Sequence, residues 1–107
     1  MENLEQLSEH IAKIWVCDAS RYPELAHLSE EGQQNFRVKH SILHINKSLG
    51  KLAALCEDFD HEAAAKEEFV AERKKLAIKL FINALKLAEE SDVSAKELLE
   101  KSPEYIA

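Results

Sequence analysis

The chain has 107 residues, which corresponds to one domain spanning residues 1–107. It is 46% hydrophobic and 32% charged, which excludes a disordered chain and a membrane-embedded one. Two Gly and two Pro exclude a loop-rich or turn-dense β architecture, whereas abundant Ala, Leu, Glu and Lys favour helices. The formal net charge of -6 argues against general nucleic-acid binding.

Neither end of the sequence has the features of a targeting or anchoring segment. Residues 1–5 are acidic and lack the apolar core of a signal peptide, and no apolar run reaches the roughly 18 residues of a membrane span. We therefore expect a cytoplasmic protein with reduced thiols and no membrane contact. Cys17 and Cys56 match no disulfide framework or metal motif, and we expect them to be small buried apolar residues.

The spacing of apolar residues predicts four helices. The first ends before Pro23, because proline biases the preceding residue out of the helical region. Ser29 suits a helix start, and Ser94 with Glu97 forms a capping box ahead of a short last helix. The predicted ranges are 3–18, 33–59, 64–90 and 95–101, with a connector at 25–31.

Two long helices and two short ones predict an all-α fold, a four-helix antiparallel bundle with the long helices at its centre. The third helix carries two apolar stripes, one formed by Leu76, Leu80, Ala84 and Leu87, the other by Ile78, Ile82 and Leu85. Since a short chain cannot easily cover both stripes, we predict a homodimer or tetramer built on the long helices. The alternative is that Ile78 and Ile82 lie under the first helix.

Charge is segregated along the second helix. Residues 36–56 contain no Asp or Glu, whereas residues 57–72 are strongly acidic. A row at spacings of 4, 3 and 4 lies on one face of the helix and consists of His40, His44, Lys47 and Lys51. This row either faces a phosphate or another anion, or is an ordinary solvated face. The histidine pair lacks a third ligand and has lysines one turn on, so we predict no metal site there.

Two segments carry a family resemblance. They are Ser48-Leu49-Gly50-Lys51-Leu52-Ala53 in the second helix and Lys75-Leu76-Ala77-Ile78 in the third. Together with residues 80–99, they make the stretch 36–99 resemble the MazG-like all-α nucleoside triphosphate pyrophosphohydrolases. Members of that family release pyrophosphate from nucleoside triphosphates, using Mg²⁺ held by a Glu-Xaa-Xaa-Glu and a Glu-Xaa-Xaa-Asp motif. The resemblance therefore implies a MazG-like type of bundle.

The positions that match those four carboxylates carry Ser48, Lys51, Lys75 and Ile78. None of the four is acidic, and two are cationic groups that repel Mg²⁺. The resemblance therefore implies a noncatalytic member, for which we predict no catalytic residue, no metal ligand and no cofactor. We predict an interaction module, or a module that binds a nucleotide or another phosphorylated ligand. The ligand-binding residues predicted for it are His44, Lys47, Ser48, Lys51 and Lys75.

Two other functions stay open. An active metal-dependent nucleoside triphosphate pyrophosphohydrolase with displaced ligands would need Mg²⁺, and would pair Glu57 and Asp60 with Glu68 and Glu72. A purely structural adaptor would instead recognise a protein partner through the stripe of Ile78, Ile82 and Leu85.

Overall fold

The computed structural model describes residues 1–63 and 65–107. Over those residues the chain forms four α-helices, one short 3₁₀ helix and no strand, which confirms the predicted all-α class. The helices are α1 (Leu4–Ile14), α2 (Glu30–Asp60), α3 (Lys66–Glu90) and α4 (Ala95–Ile106), and the 3₁₀ helix is Pro23–His27. None of these helices combines the length and the apolar character needed to cross a bilayer.

Side chains set the starts of three helices. Asn3, Ser29 and Ser94 each accept a hydrogen bond from the backbone N–H three residues further on. Both Ser29 and Ser94 are helix starts that the sequence predicts, and α2 begins a little before its predicted range. The predicted start of the third helix at Ala64 lies outside the described residues.

Two helix ends differ from prediction. α1 stops at Ile14 instead of Asp18, because the backbone leaves the helical region at Trp15, with φ −94° and ψ 69°. α4 continues through Pro103 to Ile106 instead of ending near Lys101. Proline removes one backbone hydrogen bond, but its fixed φ suits a helix, and the loss falls in the last turns.

α2 and α3 pack side by side in antiparallel orientation. Arg37, near the start of α2, meets Glu90 at the end of α3, and Ser48, near the middle of α2, meets Asn83. Residues later in α2 therefore contact residues earlier in α3, as antiparallel helices require. The two long helices therefore form a hairpin, which is the scaffold of the molecule.

α1 packs on α3, and α4 packs on α1. Leu85 of α3 is 3% exposed and lines an apolar cavity of about 330 Å³ together with Leu4 of α1 and Leu98 of α4. One part of the predicted second stripe is therefore covered within the chain. Ile78, at the other end of that stripe, is 61% exposed, so the alternative that Ile78 and Ile82 both lie under the first helix is wrong for Ile78. Ile82 is half-buried.

The cysteines are less buried than the sequence suggests. Cys17 is half-buried and Cys56 is exposed, and both are free thiols. The prediction that Cys56 is buried was wrong, because its side of α2 has no helix packed over it in the described part of the chain.

Candidate ligand-binding site

A cavity of about 360 Å³ lies between the end of α1, the segment that follows it, and the hairpin. Its wall combines aromatic and cationic side chains. Trp15, Arg21 and Tyr22 come from the segment after α1, while α2 and α3 supply the other side. The volume falls within the range of small-molecule sites, which is about 300–1,000 Å³.

Local hydrogen bonds shape the segment that carries Arg21 and Tyr22. The Asp18 carboxylate accepts hydrogen bonds from the Ser20 hydroxyl at 2.5 Å and from the Ser20 backbone N–H at 3.0 Å. The bond from the Ser20 hydroxyl is the main reason that the pKa of Asp18 lies below its ordinary value. The 3₁₀ helix that follows is anchored by Leu25, which is 1% exposed.

Tyr22, His40 and His44 form a polar cluster at the cavity wall. The Tyr22 hydroxyl lies 2.9 Å from Nε2 of His40, and the same nitrogen lies 3.1 Å from Nε2 of His44. The His40 ring also stacks on Phe36, with an interplanar angle of 8°. Burial, together with the neighbouring His44, lowers the pKa of His40, so this imidazole is neutral at pH 7.

Glu90 is a buried carboxylate that joins two cations. Its Oε2 accepts a hydrogen bond from Nε of Arg37 at 2.8 Å, and its Oε1 lies 2.7 Å from Nζ of Lys86. Burial alone would lower the pKa of Lys86, but hydrogen bonds to Glu90 and Glu89 outweigh it and raise the pKa. Lys86 therefore stays protonated at neutral pH. Together with Arg37 and Glu90 it forms part of the cavity wall.

Arg37 has donors to spare for a ligand. Its Nε is bonded to Glu90, and its two terminal nitrogens make no hydrogen bond to the described residues. Arg21, across the cavity, is exposed and forms no ion pair within that part of the chain. Because guanidinium groups offer paired N–H donors that match phosphate oxygens, the cavity is suited to an anion.

Of the five predicted ligand-binding residues, His44 alone lines this cavity. Ser48 is buried next to it, with its hydroxyl 3.4 Å from the side-chain nitrogen of Asn83, which is part of the wall. Lys47, Lys51 and Lys75 are exposed and do not line the cavity.

These lysines nevertheless lie on the cavity side of the hairpin. Lys47 and Lys51 continue the helical spacing of His44, and Lys79 and Lys75 continue that of Lys86 at intervals of 7 and 4. We call Lys47, Lys51, Lys75 and Lys79 the lysine row. Within residues 1–63 and 65–107, none of the four is in an ion pair, so the row extends the positive charge of the cavity along the hairpin.

Sequence reasoning missed most of the cavity wall. Asn83 and Glu90 carried a signal, since they share the buried helical spacing of Leu76, Leu80 and Leu87, and a polar residue at such a position needs a partner. Arg37 belongs to the part of α2 that contains no Asp or Glu, residues 36–56, and nothing in the sequence distinguishes it from the other cations there. For Arg21 and Tyr22 the sequence offered no signal, because their position depends on the path of the chain after α1.

The four positions that match the family's carboxylates do not fit a magnesium ion. Ser48 is engaged with Asn83, and Lys51, Lys75 and Ile78 are exposed. Mg²⁺ requires hard oxygen ligands, usually carboxylates, and two ammonium groups oppose its charge.

The carboxylates considered as alternative Mg²⁺ ligands do not fit a metal ion any better. In the described ranges, no group of three or more His, Cys, Asp or Glu side chains is placed to hold a metal ion. Among the residues considered for that role, Glu72 is half-buried and the other three are exposed, namely Glu57, Asp60 and Glu68.

Comparison with known proteins gives no match, whether with family models, with curated proteins or with solved structures. The MazG-like assignment therefore stays a prediction from the residues that carry the resemblance.

Glu90→Gln should lower the free energy of unfolding by about 3 kcal/mol, because it leaves Arg37 and Lys86 without their buried anion. Glu89→Gln is the matched control. Glu89 is 38% exposed in its side chain and contacts only Lys86 among these groups, so its loss should cost under about 1 kcal/mol. Urea unfolding followed by circular dichroism measures both. Equal losses in the two variants would contradict the role given to Glu90.

Stability should fall as the pH drops from 7.5 to 5.5, partly because of His40. Its pKa is lowered in the folded chain, so the unfolded chain takes up the proton first, near the ordinary value of about 6.5. His40→Gln should therefore show a smaller loss over this range than the unmodified protein. His27→Gln, at an exposed histidine of the 3₁₀ helix, is the control and should lose as much as the unmodified protein. Urea unfolding at both pH values makes the comparison, and identical losses in all three proteins would rule out the His40 contribution.

Proposed function

We propose that this chain is a noncatalytic MazG-like helical protein that binds a phosphorylated ligand, most suitably a nucleotide, without a metal ion. The observation that carries the proposal is the composition of one cavity wall. Trp15 and Tyr22 lie around the same space as Arg21 and Arg37. Flat apolar rings and guanidinium donors are the two kinds of group that a nucleotide needs, one for its base and one for its phosphates.

The rings are accessible to a ligand. Trp15 is 43% exposed although it lines the cavity, and Tyr22 is half-buried. Stacking of a base on an aromatic side chain contributes about 1–3 kcal/mol. Asn83, also in the wall, adds an amide that donates and accepts hydrogen bonds, which favours a ligand with a polar edge.

The protein's own cations take the place that Mg²⁺ has in the family that the chain resembles. Arg37 and Arg21 meet the first phosphate in the cavity, and the lysine row continues the positive charge for further phosphates. Lys51 and Lys75 stand at two of the positions that match metal-binding carboxylates. The opposing interpretation is that the lysine row is a solvated face, in which case a longer phosphate chain would add no affinity.

We also propose that the hairpin is of the MazG-like type and that the protein acts as a homo-oligomer. The resemblance over residues 36–99 includes most of α2, all of α3 and the first turn of α4. The long antiparallel pair followed by a short helix supports the bundle type, and the exposed apolar residues of α2 support association.

Nucleotides should raise the Tm of the protein in the presence of EDTA. A ligand at 100 times its Kd adds roughly 2.7 kcal/mol to stability, which corresponds to a Tm increase of several degrees. The measurement is thermal unfolding with nucleoside mono-, di- and triphosphates, each with EDTA and with Mg²⁺. We expect the shift without metal, and we expect it to be largest for the triphosphates.

Charge variants test which groups bind. Arg21→Gln should weaken binding of every nucleotide about tenfold, whereas Lys51→Ala combined with Lys75→Ala should weaken triphosphates most. The matched control is Lys96→Ala with Lys101→Ala, two exposed lysines of α4. A shift that requires Mg²⁺ and is accompanied by pyrophosphate release would overturn the proposal in favour of the hydrolase. No shift with any nucleotide would overturn it in favour of the adaptor.

A further inference from the structure

Charge is divided sharply between two parts of the chain. Residues 36–56 of α2 and residues 73–88 of α3 hold nine of the 14 Lys and Arg residues and none of the 20 Asp and Glu residues. The net charge of -6 is therefore the sum of a positive hairpin middle and an acidic remainder. Charges act on a ligand within a Debye length, about 8 Å at physiological salt, so the hairpin middle attracts anions although the whole chain is acidic.

The lysine row continues the cavity along one side of the hairpin. Its four lysines are exposed and share the helix faces of His44 and Lys86, which line the cavity. From Lys86 to Lys75 the positive surface extends about 16 Å along α3, at 1.5 Å per residue. That length matches about five phosphates at the 3.4 Å spacing of a stacked strand. The surface therefore offers places for more phosphates than the three of a nucleoside triphosphate.

Acidic residues end this positive surface at the far end of the hairpin. On α2, Asp58 continues the spacing of Lys51 at an interval of 7. On α3, Glu72 and Glu68 precede Lys75 at intervals of 3 and 7. Since carboxylates repel phosphates, a chain of phosphates that starts in the cavity finds favourable contacts only as far as the lysine row extends. The surface suits a few linked nucleotides and limits their number.

The aromatic wall of the cavity favours nucleic acid over an acidic peptide. Trp15 and Tyr22 lie at the cavity end of the lysine row, and Trp15 is 43% exposed. A base has a flat face that stacks on these rings, and aromatic rings combined with a cationic groove are the usual means of binding single strands. In a duplex the terminal base is already paired and stacked, which makes a single strand the better fit. Residues 45–55 and 73–80 contain no aromatic residue, so only the terminal base stacks.

We propose that the cavity and the lysine row together bind the end of a single strand of nucleic acid. The terminal nucleotide occupies the cavity with its base against the aromatic wall, and the phosphates of the next nucleotides lie along the lysine row. The inference rests on the proposed function for that first nucleotide and extends the ligand to a strand of about five. Binding does not depend on sequence beyond the terminal base, because lysines contact phosphates and not base edges.

Isothermal titration calorimetry in EDTA tests the proposal with 5′-phosphorylated thymidylate strands of increasing length. The association constant should rise about tenfold from one nucleotide to about six and then level off by about twelve, because the lysine row ends. Its fall with salt should become steeper by about 0.7 in the log–log slope for each added phosphate contact. Uridylate strands should show the same length dependence, since the contacts that add affinity are to phosphates.

Two double variants separate the lysine row from general positive charge. Lys51→Ala with Lys75→Ala should make the salt slope for the strand of about six nucleotides shallower by about 1.4, because each lost lysine removes one phosphate contact. Lys39→Ala with Lys74→Ala is the matched control. Both control lysines are exposed on the same two helices, and each lies about 100° around its helix from a residue of the cavity wall or the row. The control should keep the slope of the unmodified protein.

Trp15 fluorescence shows whether the terminal base reaches the cavity, and we expect it to change with every strand length. Equal affinity and equal salt slope for one nucleotide and for the longer strands would overturn this inference and leave the proposed function standing. No change of Trp15 fluorescence with any strand, including the single nucleotide, would overturn both. Equal loss of slope in the two double variants would overturn the role of the lysine row. A glutamate peptide of equal charge that binds as tightly as the longer strands would overturn the inference in favour of an acidic protein partner.

Discussion

The buried ion cluster of Arg37, Glu90 and Lys86 determines how α2 meets α3, and the rest of the structure depends on that register. The side chain of Glu90 is 7% exposed, so its charge must be matched by cations within hydrogen-bond distance. Sliding one helix by a turn would separate Glu90 from Arg37, and an uncompensated buried charge costs several kcal/mol. Apolar contacts between two long helices tolerate such a slip far better, so the polar groups select the register.

This register divides the hairpin into two chemically different sides. His40, His44 and Lys86 come together on one side, where the segment after α1 closes the cavity over them. Ile42, Leu49 and Ala84 point to the other side and leave it apolar. The proposed function would account for the absence of acidic residues from 36 to 56, since a carboxylate on the cavity side would compete with an anionic ligand for the arginines. On the other side it would place a charge in an apolar surface.

The sequence predicts helices well and the cavity poorly, for a physical reason. Apolar spacing is a local property, so α2 and α3 are predicted to within a few residues, and the row of His44, Lys47 and Lys51 is placed on one helix face. Burial of Cys56 and Ile78 depends on whether another helix lies over them, which spacing does not encode. The cavity depends on Trp15 leaving the helix and on the Asp18 turn bringing Arg21 and Tyr22 back to α2. The α1 prediction failed at this same point, because Trp15 and Val16 suit an apolar stripe and line the cavity instead.

The proposed function requires that the cavity bind phosphate through protein cations and a base through its aromatic wall. An NMR titration of the ¹⁵N-labelled protein with a nucleoside triphosphate in EDTA tests it most directly. Trp15 is the one tryptophan, so its indole N–H signal needs no assignment. We predict saturable shifts of that signal and of the Nε–H signals of Arg21 and Arg37. Arg73, which lies over the Phe69 ring at the other end of the hairpin, should not shift. Shifts of Arg73 alone, or no shift at any of these groups, would contradict the claim.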